Sequence, residues 1–216
     1  MRTIAVMNQK GGCGKTTVCL HLAIGLSRDS DAKVAIFDAD QQRSATRWAA
    51  KAPQFNRKAP KVVSVQAEDL EGHLKASATE HDFSLVDTAG DFKAAAQHQA
   101  LELLPLVDLV IVPILPTPLD VDGAHDLLQA LKAYRTANAK APQVLLVLNK
   151  SKRNGLTRQA KDMLPSFGFP ITKTALQDRV AYASEVGFGG TAYDRRPSDK
   201  ARQEIESFVA EVKGYL

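Results

Sequence analysis

The chain has 216 residues, 44% of them hydrophobic and 24% charged, with a formal net charge of +4. This is ordinary globular composition, and it points to a single domain, 1–216, with a buried core. No run of about eighteen apolar residues occurs, and the N-terminus opens directly into "RTIAVMN". Neither a membrane-spanning helix nor a secretory leader is therefore expected, and the expected location is cytoplasmic.

Apolar, β-rich runs recur along the chain: "TIAVM" (3–7), "KVAIFD" (33–38), "VVSVQ" (62–66), "FSLVD" (83–87), "DLVIVPI" (108–114) and "VLLVLN" (144–149). They are near-continuous rather than alternating, as strands covered on both faces should be. Between them lie stretches of helical composition at 15–28, 44–51, 68–78, 92–104 and 120–138, and "APQFNRKAPK" (52–61) reads as a loop. The alternation predicts an α/β fold, a mostly parallel twisted sheet flanked by helices on both faces. In the tail, Ile205, Phe208, Val209 and Val212 share one helical face with Glu204, Glu206 and Glu211 around them, so a closing helix is expected to dock on the body.

Cys13 and Cys19 stand without a histidine pair at metal-ligand spacing and are expected to be reduced thiols. His21, His73, His81, His98 and His125 are scattered. Charge is uneven. Residues 149–202 hold eleven Lys and Arg against five Asp and Glu, while the remainder is slightly acidic. A basic third on a near-neutral body points to a polyanionic partner, with Lys152, Arg153, Arg179, Arg195, Arg196, Lys200 and Arg202 as the expected phosphate contacts.

The stretch "MNQKGGCGKTT" (7–17) joins the first expected strand to the first expected helix. Glycines at 11, 12 and 14 permit close approach of a phosphate, so that backbone N–H groups can point at its oxygens, and the helix N-terminus adds partial positive charge. Gly11, Gly12, Cys13 and Gly14, with Lys15, Thr16 and Thr17, form the expected nucleotide cradle. In it Lys15 would neutralise the β- and γ-phosphates and Thr16 would ligate Mg²⁺. The common pattern G-x-x-x-x-G-K-[ST] fails at its first place, where Gln9 stands. The sequence fits K-G-G-x-G-K-T-T throughout, from Lys10 to Thr17.

With "VAIFDADQQRSATRW" (34–48), "FSLVDTAG" (83–90), "VPILPTPLDVDGA" (112–124) and "RVAYASEVGFGGTAYD" (179–194), this loop resembles the deviant Walker A ATPases that include ParA, ParF, MinD and the nitrogenase iron protein. The resemblance covers nearly the whole chain and runs especially to the small ParA/ParF partition ATPases and to VirC-type proteins of T-DNA transfer. It implies a P-loop NTPase fold, ATP and Mg²⁺ as cofactors, and an ATP-dependent homodimer in which Lys10 reaches the phosphates of the partner's ATP. It also implies that Asp40 orients the attacking water, Asp38 supports Mg²⁺ indirectly, Asp87 holds a Mg²⁺-bound water and Gly90 offers its N–H to the γ-phosphate. Lys10, Lys15 and Asp40 are then the expected catalytic groups. Gln41 stands where the family usually has proline. The run Asn149-Lys150-Ser151-Lys152 lacks the aspartate with which small GTPases read guanine, so adenine is expected, with Asn149 as base contact.

In such a family, ATP closes the dimer, the dimer binds DNA non-specifically and becomes nucleoid-associated, and a ParB- or ParG-like adaptor stimulates slow hydrolysis that releases it. A VirC-like role in conjugative transfer is the nearest alternative. MinD-like membrane positioning is disfavoured because "RQEIESFVAEVKGYL" carries three glutamates and few basic residues, so no membrane partner is expected. A metabolic P-loop enzyme would have no use for Lys10. No helix-turn-helix extension precedes residue 1, so operator binding is not expected of this chain.

Overall fold

A computed structural model of the chain describes residues 1–30, 32–55, 59–90 and 102–216. Each of the six apolar runs forms a strand: β1 (Arg2–Val6), β2 (Val34–Asp38), β3 (Lys61–Ser64), β4 (Phe83–Asp87), β5 (Leu109–Ile114) and β6 (Gln143–Leu148). They pair in parallel, in the order β3-β2-β4-β1-β5-β6. The described helices are α1 (Lys15–Ser30), α2 (Ser44–Lys51), α3 (Leu70–Ser77), α4 (Pro118–Asp122), α5 (His125–Ala137), α6 (Gly155–Met163), α7 (Val180–Gly187) and α8 (Lys200–Lys213).

Successive side chains of a strand point to opposite faces, and here both faces are covered. Ile4, Val6, Ile36, Leu85, Leu109 and Ile111 pack into one layer with residues of α1, α2, α7 and α8. Ala5, Met7, Ala35, Phe37, Val86, Val110 and Val112 pack into the other, with α3, α4, α5 and α6. That double coverage is why the strands read as unbroken apolar runs.

Helix α8 docks as its spacing predicts, with Ile205, Phe208, Val209 and Val212 buried in the layer that contains α1. Gly25 of α1 makes the approach possible, since a Cβ there would lie 2.8 Å from a methyl of Val209. The glutamates beside that face have work of their own. Glu211 accepts the N–H groups of Lys173 and Thr174 at 2.6 and 2.8 Å, and Glu204 accepts that of Gln177 at 2.6 Å. One helix thus fixes the long connection that follows β6.

One expectation about helices changes, and two helices are new. The stretch 120–138 is two helices: Thr117 caps α4, accepting Asp120 N–H on its hydroxyl at 3.2 Å, Pro118 opens it, and Gly123 and Ala124 interrupt it before α5. The stretch 92–104 lies for the most part outside the described residues; at its end Glu102 and Leu103 are helical and Leu104 opens a 3-10 turn, Leu104–Leu106. The basic segment contains two helices, α6 and α7, that lie outside the expected helical stretches. The available signal for α6 was its cap, Asn154, whose side chain accepts Thr157 N–H at 3.0 Å.

Because all strands are parallel, their carboxyl ends share one edge. The register sets Asp38 directly beside Asp87, and Asp87 beside Val6, the last residue before the glycine loop. β1 lies between β4 and β5, where the chain's direction of winding reverses, which is the place in an open parallel sheet where a ligand crevice forms.

Candidate nucleotide site

Beyond Val6 the chain leaves the sheet as a loop and re-enters regular structure at Lys15. Side chains from neighbouring strand ends hold this loop. Asn8, buried, donates Nδ2 to the carbonyl of Pro113 in β5 at 2.7 Å and accepts Lys10 N–H at 3.0 Å. Asn149, just past β6, donates Nδ2 to the carbonyl of Cys13 at 2.7 Å, and Lys150 donates Nζ to that of Gly12 at 2.9 Å. In a trans peptide the N–H points opposite to the C=O, so the N–H groups of Cys13 and Gly14 face away from these braces. Gly12 and Gly14 have φ of 74° and 94°, in the left-handed region. Gly14 has no room for a side chain either, as a Cβ would lie 2.1 Å from Asn149 Nδ2.

Lys15 is buried at the start of α1, its Nζ 3.5 Å from the carbonyl of Lys10. Gly90, on the exit from β4, packs against it. A Cβ there would stand 2.8 Å from Lys15 Nζ and 3.3 Å from Gly11 Cα. Lys10 behaves differently: its ammonium pairs with Asp120 of α4, its side chain is 40% exposed, and it is not among the residues that line the cavity.

The carboxylates differ in their surroundings. Asp38 is buried and engaged, with Oδ2 accepting the N–H and hydroxyl of Thr46 at 2.8 and 2.7 Å and Oδ1 accepting Asp40 N–H at 3.3 Å. It thereby closes the turn after β2 and takes up the first turn of α2. Asp40 is half-buried at the cavity and accepts Gln42 N–H at 2.8 Å. Asp87 is fully buried, and neither oxygen has a hydrogen-bond partner among the described residues. Burial pushes its pKa up to about 7, with Asp38 acting in the same direction and Thr16 and Lys15 opposing.

A buried carboxylate in this state suits a cation. The described residues hold no group of three or more His, Cys, Asp or Glu side chains placed to bind a metal. A cation at Asp87 would therefore complete its shell with the Thr16 hydroxyl, water and phosphate oxygens, which matches the coordination of Mg²⁺. The thiols of Cys13 and Cys19 are buried, and burial raises the pKa of both, which makes them poor nucleophiles.

Above the loop lies a cavity of about 690 Å³, within the range of small-molecule sites. Gly11, Gly12, Gly14, Lys15, Thr16 and Thr17 form one side, Asp40 and Gly90 another, and Asn149 and Lys150 lead to a far wall of Gln177, Asp178, Arg179, Tyr182, Ala183 and Val186. Sequence reasoning did not assign that wall to the ligand. It reaches the site through α8: Glu204 also accepts Arg179 Nη2 at 2.9 Å and the Tyr182 hydroxyl at 2.7 Å. Asn8, Lys150 and Asp120 were equally missed, since each acts through a partner far away in sequence.

The expected phosphate contacts of the basic segment fall into two sets. Lys152 pairs with Asp178, Arg179 with Glu204, Arg195 with Glu185 and Asp199, and Arg202 with Glu206. Arg153, Arg196 and Lys200 are exposed. The ion pairs found among the described residues do not include them.

Comparison with known proteins gives relatives over nearly the full chain. It is 27% identical over 212 residues to the Maintenance of carboxysome distribution protein A of Halothiobacillus neapolitanus, covering 97% of this chain and 95% of that protein. It is 26% identical to protein virC1 of Rhizobium radiobacter, over 85% of this chain and 80% of that one. A Cyanothece McdA variant solved as its ATP complex shares the fold, with a TM-score of 0.77 at 14% identity over 99% of this chain and 96% of that one. The domain described as the CobQ/CobB/MinD/ParA nucleotide binding domain matches residues 4–190. Nearly all of the sheet and the whole braced loop fall inside that match, and the chain accordingly belongs to the ParA/MinD family of P-loop ATPases.

Proposed function

We propose that the protein is an ATP-driven dimerising switch that binds non-specific DNA while ATP-bound and positions a cargo through a ParB- or ParG-like adaptor, which stimulates hydrolysis. The observation that supports this reading best is the division between two lysines of one loop. Lys15 is buried in the cradle, whereas Lys10 stands at the rim with its ammonium outside the cavity. In this reading a lysine that stands outside its own cavity serves the phosphates of a second copy.

In this reading the cradle N–H groups and Lys15 bind the ATP phosphates, and Asn149 with the 177–186 wall takes the adenine side. Thr16 and, through a bound water, Asp87 would hold Mg²⁺, which would supply positive charge against the phosphates, with Asp38 fixing the neighbouring turn. Asp40 orients water for attack. Phosphoryl transfer gains mostly from such positioning and charge neutralisation. DNA phosphates would meet Arg153, Arg196 and Lys200 first. Lys152, whose pair with Asp178 is exposed, could join by exchanging its carboxylate for a phosphate, because exposed ion pairs contribute only about 0–1 kcal/mol. Arg179, Arg195 and Arg202 are half-buried in theirs and would join at a greater cost. The apolar face of α8 is buried in the core, so it offers nothing to a lipid surface. Among the described residues no helix is long and apolar enough to cross a membrane.

Replacing Lys10 by alanine is expected to weaken the ATP-bound dimer more than the binding of ATP to the monomer, read by light scattering against a fluorescent-nucleotide titration. Asp40→Ala should leave ATP binding intact and slow steady-state hydrolysis by about 10²- to 10⁴-fold, accumulating the dimer.

Asp87→Asn tests the metal site through stability. Asp87 keeps its proton up to about pH 7 in the folded chain, against an ordinary value of 3.8. Relative to the asparagine variant, the wild type should therefore lose stability as pH rises from about 4 to about 7. At pH 8 the nucleotide-free variant is expected to melt several degrees higher, yet to gain less from ATP and Mg²⁺.

DNA binding is tested by gel shifts with ATP, ADP or no nucleotide across rising salt. Binding should require ATP, ignore sequence and fall steeply with salt, because the contacts are cations on phosphates. Glutamate at Arg196 and Lys200 should weaken it. Equal binding in all three nucleotide states would remove DNA tethering from the function.

A further inference from the structure

The partner of Lys10 within its own chain is Asp120, the third residue of α4. Asp120 is only 9% exposed. One of its oxygens takes the Lys10 ammonium, and the other accepts the Thr117 hydroxyl at 2.6 Å. Burial alone would raise its carboxyl, but the hydrogen bonds from Lys10 and Thr117 outweigh that and hold it below the usual carboxylate range. The pair therefore exists as two charges, one of them nine-tenths buried.

We infer that Asp120 is a positioning residue for Lys10, parking its ammonium in cis in the nucleotide-free monomer and so setting the protein concentration at which ATP closes the dimer. The inference rests on the trans role of Lys10 proposed above. To reach phosphates on a second copy, Lys10 must leave Asp120, whose carboxylate then keeps only the Thr117 hydroxyl and water, so release carries a cost. Only the fraction of chains with Lys10 released is competent, and apparent affinity falls in proportion to that fraction. A symmetric dimer needs two released lysines, so the fraction enters squared. Phosphates of bound ATP offer Lys10 a denser charge than one carboxylate, which makes the exchange favourable only when nucleotide is present.

Asp120→Asn keeps the shape and the acceptor for Thr117 but removes the charge. A release of about threefold per subunit would tighten the dimer about tenfold. The test follows ATP-driven dimerisation of the full chain by light scattering across protein concentration, for wild type, Asp120→Asn, Lys10→Ala and the double variant. Asp120→Asn should dimerise at about tenfold lower concentration, and the double variant should be as weak as Lys10→Ala alone. An unchanged or higher threshold in Asp120→Asn overturns the inference and leaves the trans role standing. A tenfold gain that persists in the Lys10→Ala background also overturns it, because the carboxylate would then act through the fold. Lys10→Ala dimerising like wild type overturns the trans role, and the parking role with it. If circular dichroism shows that Asp120→Asn does not fold, Asp120→Ser carries the same comparison.

Discussion

A phosphate loop has to keep its N–H groups aimed one way before any phosphate arrives, and this requires something outside the loop to occupy its carbonyls. Here Asn149 and Lys150 hold the carbonyls of Cys13 and Gly12, while Asn8 ties the loop's entry to β5. The braces come from the ends of β5 and β6, so they work only because those strands lie in sequence on one side of β1. β4 and β2, on the other side, deliver Asp87 and Asp38. The loop thus sits between a half of the sheet that shapes it and a half that supplies carboxylates, and the reversal of strand order at β1 creates both neighbours at once.

Those carboxylates show how environment divides identical side chains. Asp38 and Asp87 face each other across one register pair of parallel strands. Two buried charges at that spacing repel, and the fold separates their fates through hydrogen bonds. Asp38 receives bonds from Thr46 and Asp40 and needs no cation, whereas Asp87 receives none and suits one. Neither difference follows from the residue type.

The strands, the sheet class and the glycine loop were legible in the sequence because each is written locally: unbroken apolar runs for strands covered on both faces, and a fixed spacing of glycines and lysines for the loop. The docking face of α8 was legible for the same reason. What the sequence hid is long-range. Glu204 and Glu211, which in the sequence only flank the docking face, pin the connection after β6. Arg179, Arg195 and Arg202 read as free cations but have carboxylate partners. Asn149 carries two readings, base contact and loop brace, and only the brace depends on knowing that β6 ends beside Cys13. Helices α6 and α7 escaped because they are short, nine and eight residues, and bury few side chains: Thr157 and Ala160 in one, Tyr182 in the other.

Trp48 is the chain's single tryptophan. It lies on α2, whose first turn hangs on the Asp38 carboxylate, and it is buried, with its indole N–H donated to the carbonyl of Gly190 at 2.8 Å. Lys51 of the same helix donates to the carbonyl of Gly187 at 2.8 Å. The fluorophore therefore spans the seam between the helix held at the carboxylate edge and the turn that follows α7. Any shift of one against the other changes the polarity and hydrogen bonding around one indole, so the unlabelled protein's own emission gives an optical record of that seam.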